Sequence, residues 1–248
     1  MKIAVLSDIH GNLDALNSVL EDIKDQECEK IYFLGDYAMA GPEPVETLER
    51  VLKLKDEFSG IKMIQGNTDL LIADFSENSY ENLKKTAPVM AEALKDDVRI
   101  MPESQIKFLA NLPKDLHIEE EGVKILLVHG SPRKNNENIL PDTPLKEVEE
   151  MVEDVKEDII FCGHTHMPCG FQTTGKKTVV NAGSVGRPFT ENPQACYLVL
   201  TLSNGKCIFE HRFVDYDNEK ASKKILKRTF AGKEKLAQTL IKPEERHF

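Results

Sequence analysis

A chain of 248 residues with 40% hydrophobic and 30% charged side chains is long enough to bury a sizeable core and has the make-up of a globular protein. Its net charge of -10 argues against stable nucleic-acid binding, which needs a basic footprint, and no apolar run approaches the roughly 20 residues of a membrane span. Five cysteines, an odd number with no CxxC pair, point to reduced thiols and a cytoplasmic protein rather than a disulfide framework.

The N-terminal run "KIAVLS" (2–7) is too short for a signal peptide and reads as a first strand. Leu13, Leu16, Leu20 and Ile23 then recur at helical spacing, with Asn12 placed to cap the helix start. "KIYFLGD" (30–36) reads as a second strand, before a helix opened by Pro44 with glutamates in its first turn. "IKMIQGN" (61–67) is a third, and the alternation of strand and helix predicts parallel βαβ units.

Residues 76–112 lack strand signals and carry helical stretches, "ENLKKTAPVMAEALK" and "SQIKFLANL", an insertion expected to shape a substrate pocket. The character then changes. "VKILLVHG", "EDIIFCGHTH", "KTVVNAGS", "ACYLVLTL" and "CIFEHRFV" are five strand candidates, the last two joined by a hairpin turn, "LSNGKC". A chain that begins as βαβ and ends as hairpins predicts an α/β fold of two face-to-face mixed β-sheets flanked by helices, a four-layer αββα sandwich. One domain is expected over 1–216. Residues 217–248 follow as a basic helical tail, with nine Lys or Arg against four Glu from Glu219 on, its charged face docked on an acidic body.

Five strand-like runs end in metal-ligand residue types. Asp8 and His10 follow the first, Asp36 the second, Asn67 and Asp69 the third, His129 the fourth, and His164 and His166 the fifth. If the strands continue through these positions, side chains two apart point the same way. The carboxyl ends of strands are also where ligands bind in open α/β sheets. A lone Asp there is usually a turn residue and a lone His usually structural, but five such motifs flanked by glycine are not explained one at a time. Imidazoles, carboxylates and an amide, with no thiolate required, suit Mn, Fe, Zn, Co or Ni rather than Ca or Mg.

The order Asp8-x-His10, Gly35-Asp36, Gly66-Asn67-x-Asp69, His129-Gly130, Gly163-His164-x-His166 resembles the signature of the calcineurin-like metallophosphoesterase superfamily. "NAGSVGRP" further resembles its small bacterial and archaeal phosphodiesterase branch. The resemblance implies two divalent transition-metal ions, Mn foremost. Asp8, His10 and His166 would hold the first, Asn67, His129 and His164 the second, and Asp36 would bridge them. Asp8, His10, Asp36, Asn67 and His129 would then serve catalysis. Two cations neutralise a phosphoester, lower the pKa of a bridging water and align it for in-line displacement.

The implied function is hydrolysis of a small phosphodiester or nucleotide-type substrate. The alternatives are a phosphomonoesterase, a dinucleoside-polyphosphate hydrolase or, in another class, a protein-interaction scaffold of the same fold with degraded ligands. Retention of all the ligand types argues against the scaffold. Many members carry a histidine after the Gly-Asn, thought to stabilise the phosphate or protonate the leaving group; here that residue is Thr68. A threonine hydroxyl donates one hydrogen bond but is no acid near pH 7, so esters with good leaving groups are favoured. Arg187, Thr68 and Asn12 are the candidate substrate contacts, with Arg133 a weaker one and Asn12 favoured as a helix cap. Asp69 is expected to cap a following helix. Cys162 is expected to pack in its strand, and neither it nor Cys169 is needed as a ligand.

Overall fold

A computed structural model describes residues 1–203 and 205–243; Asn204 in the predicted hairpin turn and the end of the tail, 244–248, lie outside the described residues. Three strands of the N-terminal half, β1 (Lys2–Leu6), β2 (Lys30–Phe33) and β3 (Gly60–Met63), run parallel. β4 (Asp115–Glu120), β5 (Val123–Val128), β6 (Ile159–Cys162), β7 (Cys169–Gln172) and β8 (Thr178–Asn181) make a second sheet in the order β4-β5-β6-β8-β7. β9 (Ala195–Ser203) and β10 (Lys206–Val214) return to the first sheet, whose order is β10-β9-β1-β2-β3. Both sheets are mixed, since β9 lies antiparallel to β1 and β4 antiparallel to β5.

The apolar runs explain the layering. Central strands are buried on both faces, so they read as continuous hydrophobic stretches rather than alternating ones. Ile3 and Val5 of β1 point between the sheets, where they meet Ile125, Leu127 and Phe161 of the second sheet. Ala4 and Leu6 point outward, under α1 (Leu13–Asp25) and α2 (Pro44–Lys53). On the far side Leu126, Ile160 and Val179 pack beneath α7 (Leu145–Met151). The result is the αββα sandwich.

The strands not legible in the sequence, β4 and β7, are both edges. β4, "DLHIEE", alternates exposed with half-buried residues and carries three carboxylates; β7 is four residues long and contains Gly170. Short, charged edges are how sheets avoid pairing with other chains, and they erase the apolar signal. The 76–112 segment is helical: α4 (Glu77–Thr86), α5 (Pro88–Ile100) and α6 (Glu103–Ala110) follow α3 (Asn67–Ala73). Pro88 splits "ENLKKTAPVMAEALK" in two, because proline disfavours the helical region for the residue before it, and Ala87 accordingly sits at φ -140°, ψ 71°.

The tail forms α8 (Asn218–Leu226) and α9 (Lys233–Ile241). Lys220 and Lys224 reach Asp14 at 2.7 and 2.6 Å, and Lys224 also reaches Glu43. The opposite face enters the main core through Ala221, Ile225, Leu236, Ala237 and Leu240. Between the two helices the buried Arg228 donates to Asp96 and Asp97 at 2.7 Å each and to the carbonyl of Gly41 at 2.7 Å. Removing Arg228 would leave Asp97, which has no exposure, without its counter-charge. Arg228→Ala should therefore cost about 3–5 kcal/mol in denaturant unfolding, the usual penalty for breaking a buried pair. Lys223→Ala, which loses only a surface pair with Glu219, should cost little, and equal effects would contradict the anchoring role.

Candidate metal centre

The five motif segments meet at one place, where the carboxyl ends of β1, β2 and β3 face those of β5 and β6. Asp8, His10, Asp36, His129, His164 and His166 are all buried there. Strand alternation is not what aims them. β1 ends at Leu6 and β6 at Cys162, and the residues beyond turn through left-handed backbone: φ is 55° at Asp8, 47° at His10, 59° at Asp36, 67° at His164 and 63° at His166. Non-glycine residues avoid this region, at a cost of about 1–3 kcal/mol each in strained cases, and such strain gathers at functional sites. Gly66 allows the close approach this requires, since a Cβ there would collide with the Asp36 carboxylate.

Three imidazoles are held the same way. His10 Nδ1 donates to the carbonyl of Met39 at 2.8 Å, His129 Nδ1 to Leu34 at 2.7 Å and His166 Nδ1 to Arg187 at 2.5 Å. Since a carbonyl can only accept, each Nδ1 carries a proton, and in the neutral ring each Nε2 is left as a lone pair. Those lone pairs converge. His10 Nε2 lies 3.1 Å from His166 Nε2, and His129 Nε2 lies 2.9 Å from Asn67 Oδ1. Asp8 Oδ1 stands 3.2 Å from His166 Nε2, and Asp36 Oδ2 stands 3.4 Å from His129 Nε2 and 3.7 Å from His10 Nε2.

Where these rings are neutral, acceptors face acceptors, an arrangement that a cation between them stabilises. Metal–ligand bonds of about 2.0–2.2 Å place neighbouring ligand atoms about 3.0–3.5 Å apart, close to the separations seen. Asp8 Oδ1 is also buried with no hydrogen-bond donor, the kind of orphaned atom that an ion would satisfy. Among the described residues two groups of potential ligands result, Asp8 with His10 and His166, and Asp8 with Asp36 and His129. Asn67 adjoins the second. His164 belongs to neither three-residue group; its backbone N–H donates to Asp8 Oδ2 at 2.9 Å and its ring meets His129 edge-on at 5.4 Å. These residues therefore fit divalent ions of the kind that imidazole and carboxylate favour.

The electrostatics agree. Burial works against ionisation of Asp8, yet His166, His10 and His129 outweigh it and hold the carboxyl well below its usual range. Asp36 is likewise held down, against burial, chiefly by His129. Burial would lower the His129 pKa, but Asp36 and Asp8 push it up to about 9. The site calls for positive charge, which an ion or a proton can provide.

Asp69 has a structural task that the sequence reading only half anticipates. Its carboxylate accepts from the backbone N–H of Gly66 at 2.9 Å, capping the start of α3, and also from Asp36 at 2.7 Å and Tyr37 at 3.0 Å. It thereby clamps the strained turn that carries Asp36. Asn12 caps α1 through Ala15 N–H and donates to the carbonyl of Gly186, so both ends of its amide are used within the fold. Thr68 lines the cavity above the cluster; its N–H donates to Asp36 Oδ1 at 2.9 Å, and its hydroxyl is buried without a partner. Arg187 lines the same cavity, whereas Arg133 pairs with Glu137 elsewhere. The Cys162 thiol packs at 3.6 Å from the carbonyl of Val180, and burial raises its pKa well above the ordinary value. His117 is exposed beside Glu157, and His211 donates to the carbonyl of Asn181.

Metal-stripped protein should gain thermal stability when Mn is added, by about 2.7 kcal/mol at a hundredfold excess over Kd. Asp36→Asn should lose most of that gain, while His117→Ala, outside the cluster, should keep it. No shift in the unaltered protein, or equal shifts in both variants, would contradict the assignment.

Among the described residues no helix is long and apolar enough to cross a membrane. The structure is similar over its whole length to two solved proteins. One is the hypothetical protein PH1004 of Pyrococcus horikoshii, at 25% identity and a TM-score of 0.86, with 99% of each chain covered. The other is a metallophosphoesterase of Sphaerobacter thermophilus, at 22% identity and a TM-score of 0.74, with 97% of this chain and 98% of that one covered. In sequence it is 31% identical over 243 residues to the protein MJ0912 of Methanocaldococcus jannaschii, covering 91% of this chain and 92% of the relative. The sequence model of the calcineurin-like phosphoesterase superfamily domain matches residues 1–205, a span that contains every residue of the buried cluster. The chain belongs to the calcineurin-like phosphoesterase superfamily.

Proposed function

We propose that the protein is a dinuclear-metal-dependent phosphoesterase that hydrolyses phosphodiester or nucleotide-type substrates. The observation that carries this reading is the convergence of the Nε2 atoms of His10, His129 and His166 with two buried carboxylates beneath an open cavity. Two divalent ions, manganese foremost, would there neutralise the anionic ester oxygens and lower the pKa of the attacking water. Asp8, His10 and His166 are the ligands proposed for one ion, and Asn67, His129 and His164 for the other, with Asp36 shared.

The remaining tasks fall to the chain's own groups. Arg187, whose guanidinium sits 5.6 Å over the Phe189 ring at the cavity wall, is placed to pair with a phosphate oxygen. Backbone carbonyls hold the imidazoles in one tautomer, so the ligands need no reorganisation. Thr68 stands where a proton donor to the departing oxygen would be useful, and its hydroxyl supplies a hydrogen bond but no proton.

The test is hydrolysis with and without metal. Chelation should abolish turnover of an activated aryl phosphodiester, and Mn, Co or Ni should restore it where Mg restores little. Because general-acid help is typically worth about 10²–10⁴-fold, its absence should make the rate depend steeply on leaving-group acidity. Thr68→His should flatten that dependence and favour poor leaving groups selectively. Full activity in chelator would overturn the metal reading, and a shallow dependence in the unaltered protein would show that another residue gives the proton.

A further inference from the structure

The cavity above the cluster, about 530 Å³, is walled by parts of the chain that the strand-end motifs do not include. Leu236 and Thr239 of α9 form one side, although α9 lies beyond the span matched by the superfamily model. Leu83 of α4 and Val89 and Met90 of α5 form the facing side. Phe189 lies between these walls and the floor, its ring stacked on His166 at 4.8 Å and 26°.

We propose that this cavity is the subsite for the organic group of the substrate, and that the group is apolar and bulky: an aryl ester, or a hydrocarbon ester of like size. The inference rests on the phosphoesterase reading, and it narrows the substrates left open there toward apolar esters and away from nucleotides.

The chemistry of the walls carries it. Their surface is mostly carbon: away from the floor the charged side chains are Arg187 and Lys235, both cations suited to an anionic phosphate, and the uncharged polar side chains are Thr86 and Thr239. Both hydroxyls already donate to their own helices, Thr86 to Leu83 at 3.3 Å and Thr239 to Leu236 at 2.8 Å. Asp36 and Asn67, the carboxylate and the amide that border the cavity, belong to the metal cluster. Along the α4, α5 and α9 walls a ribose diol or a base edge would find few neutral partners for its polar groups, which is unfavourable, whereas an apolar ring loses nothing by leaving water. Size agrees as well. A cavity of about 150 Å³ suffices for benzene, so this one has room for a phosphate and a group larger than a single ring.

The walls are also fixed in place, as a selective pocket requires. Leu236 and Leu240 sit in the main core, and Lys233 Nζ donates to the carbonyl of Arg228 at 2.6 Å, beside that residue's buried pairs with Asp96 and Asp97. Across the cavity, Tyr80 of α4 donates to Glu92 of α5 at 2.6 Å, which locks the corner at Pro88. An apolar group therefore meets a preformed surface and orders little on binding.

The experiment compares two anions with one head group, phenylphosphonate and methylphosphonate, titrated calorimetrically into the Mn-loaded full chain. Phenylphosphonate should bind about 10- to 100-fold more tightly, the range expected for burying a ring in place of a methyl group. Leu83→Gln, on a partly exposed wall residue, should shrink that ratio severalfold while leaving methylphosphonate affinity unchanged. A parallel arm compares kcat/KM for phenyl and methyl p-nitrophenyl phosphate, which share a leaving group, and the same preference should appear. Binding ratios near one in the unaltered protein would overturn the proposal, whichever way the hydrolysis arm falls. A strong binding preference with no hydrolysis of either diester would instead count against the phosphoesterase reading and leave the apolar subsite standing.

Discussion

The carbonyl oxygens of Leu34, Met39 and Arg187 each take the Nδ1 proton of one buried histidine, and what the site can do follows from where those carbonyls stand. They come from loops after β2 and after β8, so the three lone pairs meet only when both sheets are packed. The dependence runs further into the molecule. The N–H of Ala40, next to Met39, donates to Asp97, and the carbonyl of Gly41 accepts from Arg228 in the tail. A residue 187 positions further along the chain thus helps hold the loop that orients His10. Burial of the α8 and α9 faces and the aim of a first-strand ligand are parts of one network.

The same arrangement is costly for the polypeptide alone. Five of the converging residues adopt left-handed backbone, and two carboxylates lie in the interior, away from the water that would solvate their charge. The inter-sheet core of Ile3, Val5, Ile125, Leu127, Phe161 and their neighbours supplies the rigidity that keeps such a cluster open rather than letting it relax. Asp69 adds to this by tying the turn of Asp36 to the start of α3 with three backbone hydrogen bonds. Strain concentrated at one floor and offset by packing elsewhere is what a preorganised metal site requires.

The central strands and the chemistry at their ends were legible in the sequence, because doubly buried strands are written as apolar runs and their ends as Gly-flanked Asp, Asn and His. β4 and β7 were not, since edge strands answer to solvent and carry no comparable pattern. Nor was the backbone geometry: strand alternation predicts His164 and His166 on one side, yet both sit past the strand in left-handed turns, one facing His129 and the other His10. α9 reads in sequence as a basic amphipathic helix. That it walls the cavity depends on tertiary placement, which local periodicity cannot encode. Asp69 was recognisable as a cap, but its bonds to Asp36 and Tyr37 cross between loops and leave no mark on the local sequence.

The central claim, that the cluster holds two ions at assigned positions, is tested most directly by anomalous diffraction from crystals of the Mn-loaded protein. The account predicts two Mn peaks per chain, one among Asp8, His10 and His166 and the other among Asn67, His129 and His164, with the Asp36 carboxylate touching both. A single peak, or peaks whose ligands lie outside this set, would contradict it.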